Sequence, residues 1–373
     1  MNTLDVMRTT KQLPVAPATV VMGPGAREQL GAVARELGRR AVVVTGPHAW
    51  PRVASDVEAS LQAAGVAFEV FTYDPDCTEP MAEAAQARLR AEASELVIGV
   101  GGGKALDLAK LVADAAGVPV VNLPTSAATC AAWTALGNFY SEHGAFRFGR
   151  TFDRAPAGVV VDTELIARAP ARLLASGLAD TLAKWVETSA SVDYDSADMT
   201  TRAAWRMAEF LHDEIRDWGQ TAYRDALAGR LSPAVERAIE ANICLAGTVG
   251  GLGGERCRSV AAHAVHNALT QAPSFARSYH GEKVAFGILT QLILEERPED
   301  AEAMARFFAS IAVPVTLEAL GYALSDDQLQ TVAAHVCNPR STAHHLKKPV
   351  TPEIVKAAMI TADRLGRSVS STP

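Results

Sequence analysis

Between Ala41 and Val161, short runs of β-branched and other apolar residues alternate with longer segments whose apolar residues recur at helical spacing. The runs are Ala41–Thr45, Phe68–Thr72, Leu96–Val100, Val118–Asn122 and Gly158–Val161; the helical segments include Thr78–Ala93 and Lys104–Ala116. This alternation predicts βαβ units on a parallel sheet. After Asp162 the pattern becomes helical over long stretches, broken at Ser232-Pro233, Gly247–Gly254 and Pro349–Pro352. The expectation is an α/β domain over residues 1–162 and a helical domain over 163–373, with no internal repeat and no low-complexity tract. In open α/β sheets ligands bind beyond the carboxyl ends of the strands, where backbone amides and helix N-termini are unpaired.

A chain of 373 residues exceeds the roughly 250–300 at which one core tends to split, which agrees with two domains. With 49% hydrophobic and 21% charged residues the composition is that of a globular protein. A net charge of -7 and a pI near 5.8 argue against a nucleic-acid partner, which would need a basic patch. The five cysteines Cys77, Cys130, Cys244, Cys257 and Cys337 lack C-x-x-C spacing, so neither a disulfide framework nor a cysteine zinc site is indicated. Met1–Ala18 lacks the apolar core of a signal peptide, and no uncharged apolar run reaches the roughly 18 residues of a membrane span. A cytoplasmic protein with a small-molecule partner and no membrane partner is expected. The apolar helices of the second domain suit either an internal core or a homo-oligomer interface.

Val97–Lys110 runs from a strand through four glycines in five positions into a helix. Bare backbone N–H groups at a positive helix terminus suit a phosphate. The stretch is not a Walker loop, which would need Gly at Ile98 and Ser or Thr at Ala105, and Lys104 interrupts G-x-G-x-x-G. A tight turn without ligand is the alternative. The pattern G-G-G-x-x-x-D-x-x-K after a strand resembles the pyrophosphate motif of iron-containing alcohol dehydrogenases, glycerol dehydrogenases and dehydroquinate synthases. The resemblance implies a dehydroquinate synthase-like fold, with Gly101, Gly102, Gly103 and Lys104 at the diphosphate and Asp107 and Lys110 bracing the turn. Where NAD-preferring relatives often carry Asp at the end of an earlier strand, this chain has Gly46; NADP(H) is thereby admitted beside NAD(H), with a lean to NADPH.

Three further segments supply candidate metal ligands. Asp180 and Lys184 share a helix face, as do His263 and His266, and Tyr279-His280-Gly281-Glu282-Lys283 opens another apolar helix. Two imidazoles and a carboxylate suit Zn²⁺ or Fe²⁺ with open positions. Each histidine alone would be read as core or surface. Together the segments resemble the ligand segments of glycerol dehydrogenases, in the same order. That resemblance implies Asp180, His263 and His280 as ligands of one divalent cation, with His266 behind them or facing substrate. Lys184 stands where iron-type relatives often have a further histidine as fourth ligand, which favours Zn over Fe.

Leu123–Thr134 follows the Val118–Asn122 run and should lie over the nicotinamide, bringing Thr125, Ser126 and Thr129 to the cofactor. Glycerol dehydrogenases carry Asp where this chain has Cys130, and the surrounding segments resemble the bacterial hydroxycarboxylate dehydrogenases, which reduce small 2-oxo acids. The implied reaction is hydride transfer between NAD(P)H and a 2-oxo or 2-hydroxy acid. His266 would relay the proton, Lys184 would balance the carboxylate charge, and Cys130 and His344 would contact substrate; a salt bridge to Asp180 or Glu187 is the plainer reading of Lys184. The rival readings are a glycerol or polyol dehydrogenase, a dehydroquinate-synthase-like lyase using Lys283, Lys347 and Lys348 as anion grips, and a non-catalytic binding protein.

Overall fold

A computed structural model describes residues 12–74, 76–274 and 277–371. The reading of Met1–Ala18 therefore falls mostly outside the described residues. Eight strands are formed: β1 (Thr19–Gly23), β2 (Arg40–Thr45), β3 (Ala67–Thr72), β4 (Leu96–Gly101), β5 (Val120–Pro124), β6 (Leu136–Tyr140), β7 (Phe146–Thr151) and β8 (Gly158–Asp162). Six of them make one parallel sheet in the order β1-β8-β5-β4-β2-β3, and β6 and β7 form a separate antiparallel hairpin. Helices α1 (Leu30–Arg35), α2 (Trp50–Ala63), α3 (Glu79–Ala91) and α4 (Gly103–Ala116) connect the strands.

Alternate side chains of each central strand enter opposite cores. Val42, Val44 and Val97 pack with α3 and α4, while Ala41, Val43, Ile98 and Val100 pack with α1 and α2, as the two-residue period of a strand requires. Burying each such Val or Ile contributes about 1.5–3 kcal/mol. The five expected strands are present. β5 begins at Val120 rather than Val118 because Pro119, which has no N–H, leads into it. Three strands escaped the hydrophobic pattern: edge strand β1, where Val20 and Met22 stay exposed, and the hairpin strands β6 and β7, in which glycine and polar residues interrupt the apolar ones.

From Asp162 the chain is helical. This one side chain caps the next helix, accepting from Leu165 N at 3.0 Å. There follow α5 (Thr163–Ala167), α6 (Ala171–Ser191), α7 (Met199–Leu227), α8 (Pro233–Glu240), α9 (Ala246–Gly253), α10 (Ala261–Leu269), α11 (His280–Leu294), α12 (Pro298–Ser310), α13 (Asp326–Val336) and α14 (Pro352–Ser370). Their core is continuous with Leu106, Ala127, Val159 and Val161 of the α/β part. Among the described residues no helix is long and apolar enough to cross a membrane.

The sheet order has one switch point. From β2 the chain moves outward to β3, and from β4 it moves the opposite way to β5, while β2 and β4 are neighbours with Thr45 opposite Val100. The loops after β2 and β4 therefore diverge and open a crevice at their carboxyl ends.

Candidate cofactor cleft and metal centre

Gly46 and the Gly101–Gly103 turn sit on either side of that crevice. Gly101 has φ +145°, and a Cβ there would fall 2.9 Å from that of Ala105. Gly102 is the N-cap of α4 and offers no side-chain cap, so the first amides of the helix are left for an outside acceptor. A Cβ at Gly102 would have only Ser126 Oγ within 4 Å, at 3.8 Å, and one at Gly103 would meet Thr129 Oγ1 at 3.1 Å. Bare backbone on one wall, with Ser126 and Thr129 on the other, fits a dinucleotide's diphosphate. Thr125 joins the two walls through its N–H to Gly101 O at 3.0 Å. Gly46 faces the Tyr73 ring, with the hydroxyl 3.3 Å from where a Cβ would be.

Lys104 is engaged away from the diphosphate, whereas Asp107 and Lys110 brace the turn. Lys104 Nζ lies 2.5 Å from Asp76 Oδ2 and over the Tyr140 ring, so its charge is already neutralised. Asp107 is buried, pairs with Lys110 at 2.8 Å and accepts from Asn138 N at 2.9 Å. Lys110 Nζ donates to the carbonyls of Ala131, Thr134 and Leu136. This pair braces the 125–136 loop, and Asp107 does not face the cleft as a free carboxylate.

On the helical side, α6, α10 and α11 meet closely enough to bring three candidate ligands together. A Cβ at Gly177 of α6 would fall 2.0 Å from Ala127 O, and one at Gly281 of α11 1.8 Å from Ser176 O; only glycine permits either approach. Asp180, His263 and His280 then offer ligand atoms that all lie within 4.8 Å of one another. Nε2 of His263 is 3.3 Å, and Nε2 of His280 3.4 Å, from Asp180 Oδ1. That oxygen is buried and has no hydrogen-bond partner. An orphaned buried carboxylate oxygen facing two imidazole nitrogens fits a divalent cation as the missing partner.

The electrostatics agree. Burial alone would raise the Asp180 pKa, but Lys184, His280 and His263 hold it well below the usual carboxylate range. His263 is pushed up to about 9: burial opposes its charge, and Glu187 and Asp180 outweigh that. The pocket thus favours a positive charge at the place where a cation would sit. Lys184, 4% exposed, has Nζ 4.0 Å from Asp180 Oδ1, so the ion pair named as the plainer reading is present. His266 is buried with Nδ1 on Asn267 Oδ1 at 2.9 Å and its ring 4.1 Å from that of His280; burial, with His280 and Lys283 nearby, keeps it neutral.

Glu187 was missed as a partner of His263. Fully buried on the Asp180 face of α6, its Oε1 accepts from Val260 N at 2.7 Å and His263 N at 2.9 Å, and its Oε2 faces His263 Nδ1 at 2.7 Å. A carboxylate behind a ligating histidine fixes the ring and its tautomer. Asn242 was missed too. It lies in a π-turn, Ala241–Leu245, and ties the cofactor loop to α6, donating to Ala127 O at 2.9 Å and accepting from Thr181 Oγ1 at 2.9 Å. Seven-residue spacing from Asp180 to Glu187 was a weak signal in the sequence; Asn242 carried none.

Cys130 lies in the 125–134 loop beside this centre, sensing the charges of Lys184 and Asp180. His344 does not join it. It is exposed, with Nε2 on Asn338 O at 3.1 Å, and lines a separate surface cavity with Asp193, Arg256 and Lys347. The lysines considered as anion grips also diverge. Lys283 donates to Ser278 O in the first turn of α11, Lys348 pairs with Glu296 at 2.6 Å beyond the other end of that helix, and Lys347 lines the His344 cavity. At 1.5 Å per residue the ends of α11 are about 20 Å apart.

A glycine-walled crevice facing a histidine–carboxylate cluster has counterparts among known proteins. Residues 17–163 match the family model described as iron-containing alcohol dehydrogenase. An uncharacterized oxidoreductase of Synechocystis is 42% identical over 93% of this chain and 91% of its own. Hydroxycarboxylate dehydrogenase A of Escherichia coli is 36% identical over 70% of this chain and 73% of its own. The crystal structure of a probable glycerol dehydrogenase from Sinorhizobium meliloti superposes with a TM-score of 0.86 at 32% identity, covering 95% and 98% of the two chains. Fold, site and relatives define an oxidoreductase that acts on CH–OH groups. The chain belongs to the iron-containing alcohol dehydrogenase family. That membership brings the expectation of a nicotinamide cofactor and a divalent metal.

Proposed function

We propose that this protein transfers hydride between NAD(P)H and a small 2-oxo or 2-hydroxy acid. The observation that carries the reading is the charge of the buried centre. Asp180 and Glu187 are the two carboxylates, Lys184 is a buried cation on the same helix face that also feels the charge of Arg258, and a divalent cation would leave the pocket net positive. A substrate carboxylate supplies the missing negative charge, and a polyol does not. The neutral Cys130, whose thiol is kept protonated by burial, leaves room for that anion.

Asp180, His263 and His280 would hold the cation, Zn²⁺ in preference to Fe²⁺ for a three-ligand N/O set without a further histidine as fourth ligand. When bound, it supplies Lewis acidity toward a substrate oxygen, and the nicotinamide supplies or accepts the hydride. Glu187 holds His263 with Nε2 toward the centre. His266 is the proposed proton relay. With Nδ1 engaged by Asn267, its Nε2 is the atom left to take or return the proton at the substrate oxygen. The walls at Gly101–Gly103, Ser126 and Thr129 hold the diphosphate. Gly46 places no acidic group at the ribose, so NADPH is admitted beside NADH, with a lean to NADPH. The residues divide at Asp162 into a cofactor-binding part, 1–162, and a metal- and substrate-binding part, 163–373.

The test is a spectrophotometric screen of NADPH and NADH oxidation with pyruvate, hydroxyacetone and glycolaldehyde, alongside glycerol oxidation, with and without added Zn²⁺. Zn²⁺-dependent pyruvate reduction is expected. Glycerol oxidation without any 2-oxo acid reduction would replace this reading with the polyol one, which the likeness to the Sinorhizobium meliloti structure favours. Replacing His266 with Ala should slow turnover and change its pH profile; full activity with an unchanged profile would remove His266 from the relay.

A further inference from the structure

Arg258 is half-buried and lies two residues before Val260, whose N–H is pinned to Glu187 at 2.7 Å. The stem of Arg258 runs across α9. A Cβ at Gly250 would fall 2.6 Å from its Cγ and 2.8 Å from its Cδ, and one at Gly247 would fall 2.6 Å from Trp133 Cδ1. Positions three apart share a helix face, so Gly247 and Gly250 form a bare strip on which Trp133 and Arg258 lie side by side. Trp133 closes the turn that begins at Cys130, its N–H reaching Cys130 O at 3.0 Å. Lys184 on α6 feels the charges of both Cys130 and Arg258, and Arg258 that of Cys130.

Among the described residues, no carboxylate lies within ion-pair distance of the Arg258 guanidinium, and it makes no side-chain hydrogen bond. Arg27 and Arg172, by contrast, reach Asp162 at 2.6 Å and Glu282 at 2.5 Å. A partly desolvated cation without a partner is costly unless something else completes it. Burial indeed lowers the Arg258 pKa, with Glu255 only partly offsetting it. An acidic side chain at position 130 would add a negative charge to those that Arg258 feels; Cys130, its thiol kept protonated by burial, adds none.

Resting on the substrate reading above, we propose that Arg258 is the carboxylate anchor for the 2-oxo or 2-hydroxy acid. Its planar fork grips the carboxylate bidentately, Lys184 adds charge from the α6 side, and the neighbouring carbonyl oxygen is thereby directed toward Asp180, His263 and His280. Arg258 is then the residue that separates acids from uncharged ketones of the same skeleton.

Pyruvate and hydroxyacetone form a matched pair differing in that carboxylate, and oxamate is an inert mimic of the acid. With the metal- and cofactor-loaded enzyme, Arg258→Met should lower the ratio of kcat/KM for pyruvate over hydroxyacetone about 100-fold and weaken oxamate binding in calorimetry to match. Arg258→Lys should recover part of both. An unchanged ratio and unchanged oxamate affinity, in an enzyme that still reduces pyruvate, would overturn the role of Arg258 and leave the 2-oxo acid reading standing. Wild-type enzyme that turns over hydroxyacetone but neither reduces pyruvate nor binds oxamate would overturn both. Should the Arg258 variants fail to melt cooperatively, Cys130→Asp decides: it should cost pyruvate selectivity by capturing the native guanidinium, and unaltered selectivity would refute the anchor.

Discussion

Replacing Glu187 with Gln removes one charge while keeping the shape of the side chain, and its effect on metal affinity follows from hydrogen-bond bookkeeping at His263. Glu187 spends one oxygen on the N–H groups of Val260 and His263, at 2.7 and 2.9 Å, and the other on His263 Nδ1 at 2.7 Å. Glutamine has a single carbonyl oxygen. If that oxygen keeps the two backbone donors, its amide NH₂ faces Nδ1, which must then accept. The ring proton is thereby moved to Nε2, the atom 3.3 Å from Asp180 Oδ1 and the one that would ligate a cation. If the amide turns the other way, two buried backbone donors face an NH₂ group. Either arrangement sacrifices a charge-assisted bond. Loss of such a supporting partner costs about 10–100-fold in metal affinity, equivalent to about 1.4–2.8 kcal/mol. Competition against a chelating zinc indicator at neutral pH measures the affinity, and a thermal melt run in parallel checks that the helices remain packed. Zn²⁺ affinity within twofold of wild type, in a protein that melts cooperatively, would refute the claim that Glu187 sets the tautomer of His263.

Asp180→Ala should abolish stoichiometric Zn²⁺ binding, read by metal analysis after gel filtration, and activity with it; full metal occupancy would displace the proposed centre. Gly102→Ala separates a phosphate cradle from a mere turn. Gly102 has φ -81° and open space beside it, so the melting temperature should hold while NAD(P)H affinity, followed by cofactor fluorescence, falls tenfold or more. Asp162→Asn tests the joint between β8 and α5. The carboxylate accepts from Gly25 N, Arg27 N and Leu165 N and pairs with Arg27 at 2.6 Å; burial opposes its charge, but these bonds prevail and depress its pKa. A depressed carboxylate stabilises the fold fully above its unfolded value of about 4, and that contribution fades as pH falls through the lower folded value. The variant should therefore lose about 3 kcal/mol at pH 7, with the gap from wild type closing below about pH 4 in urea titrations; a gap independent of pH would contradict the assignment.

Much of this molecule is legible along the chain because its signals are local. A βαβ alternation is a matter of residue spacing within each element, and Val42–Val44 or Val97–Ile98 declare a strand buried on both faces without reference to anything distant. The glycines before α4 likewise announce bare backbone at a helix start. Asp180, His263 and His280 stood out because each lies in a short patterned segment, although the pattern does not say that the three meet.

What the tertiary structure decided is who faces whom. Strand order created the crevice between β2 and β4, a property of the path between elements that no single element encodes. Packing of Gly281 against Ser176 drew α11 onto α6, and that of Gly287 against Ala262 drew it onto α10, until three side chains converged. It gave Glu187 to His263, engaged Lys104 with Asp76, sent His344 to an unrelated surface, and laid Arg258 across α9 without a carboxylate partner among the described residues. In sequence a charged residue looks the same whether its partner is another residue, water or a ligand; its role depends on what desolvates it and what lies within a few ångströms, and only the folded chain determines both.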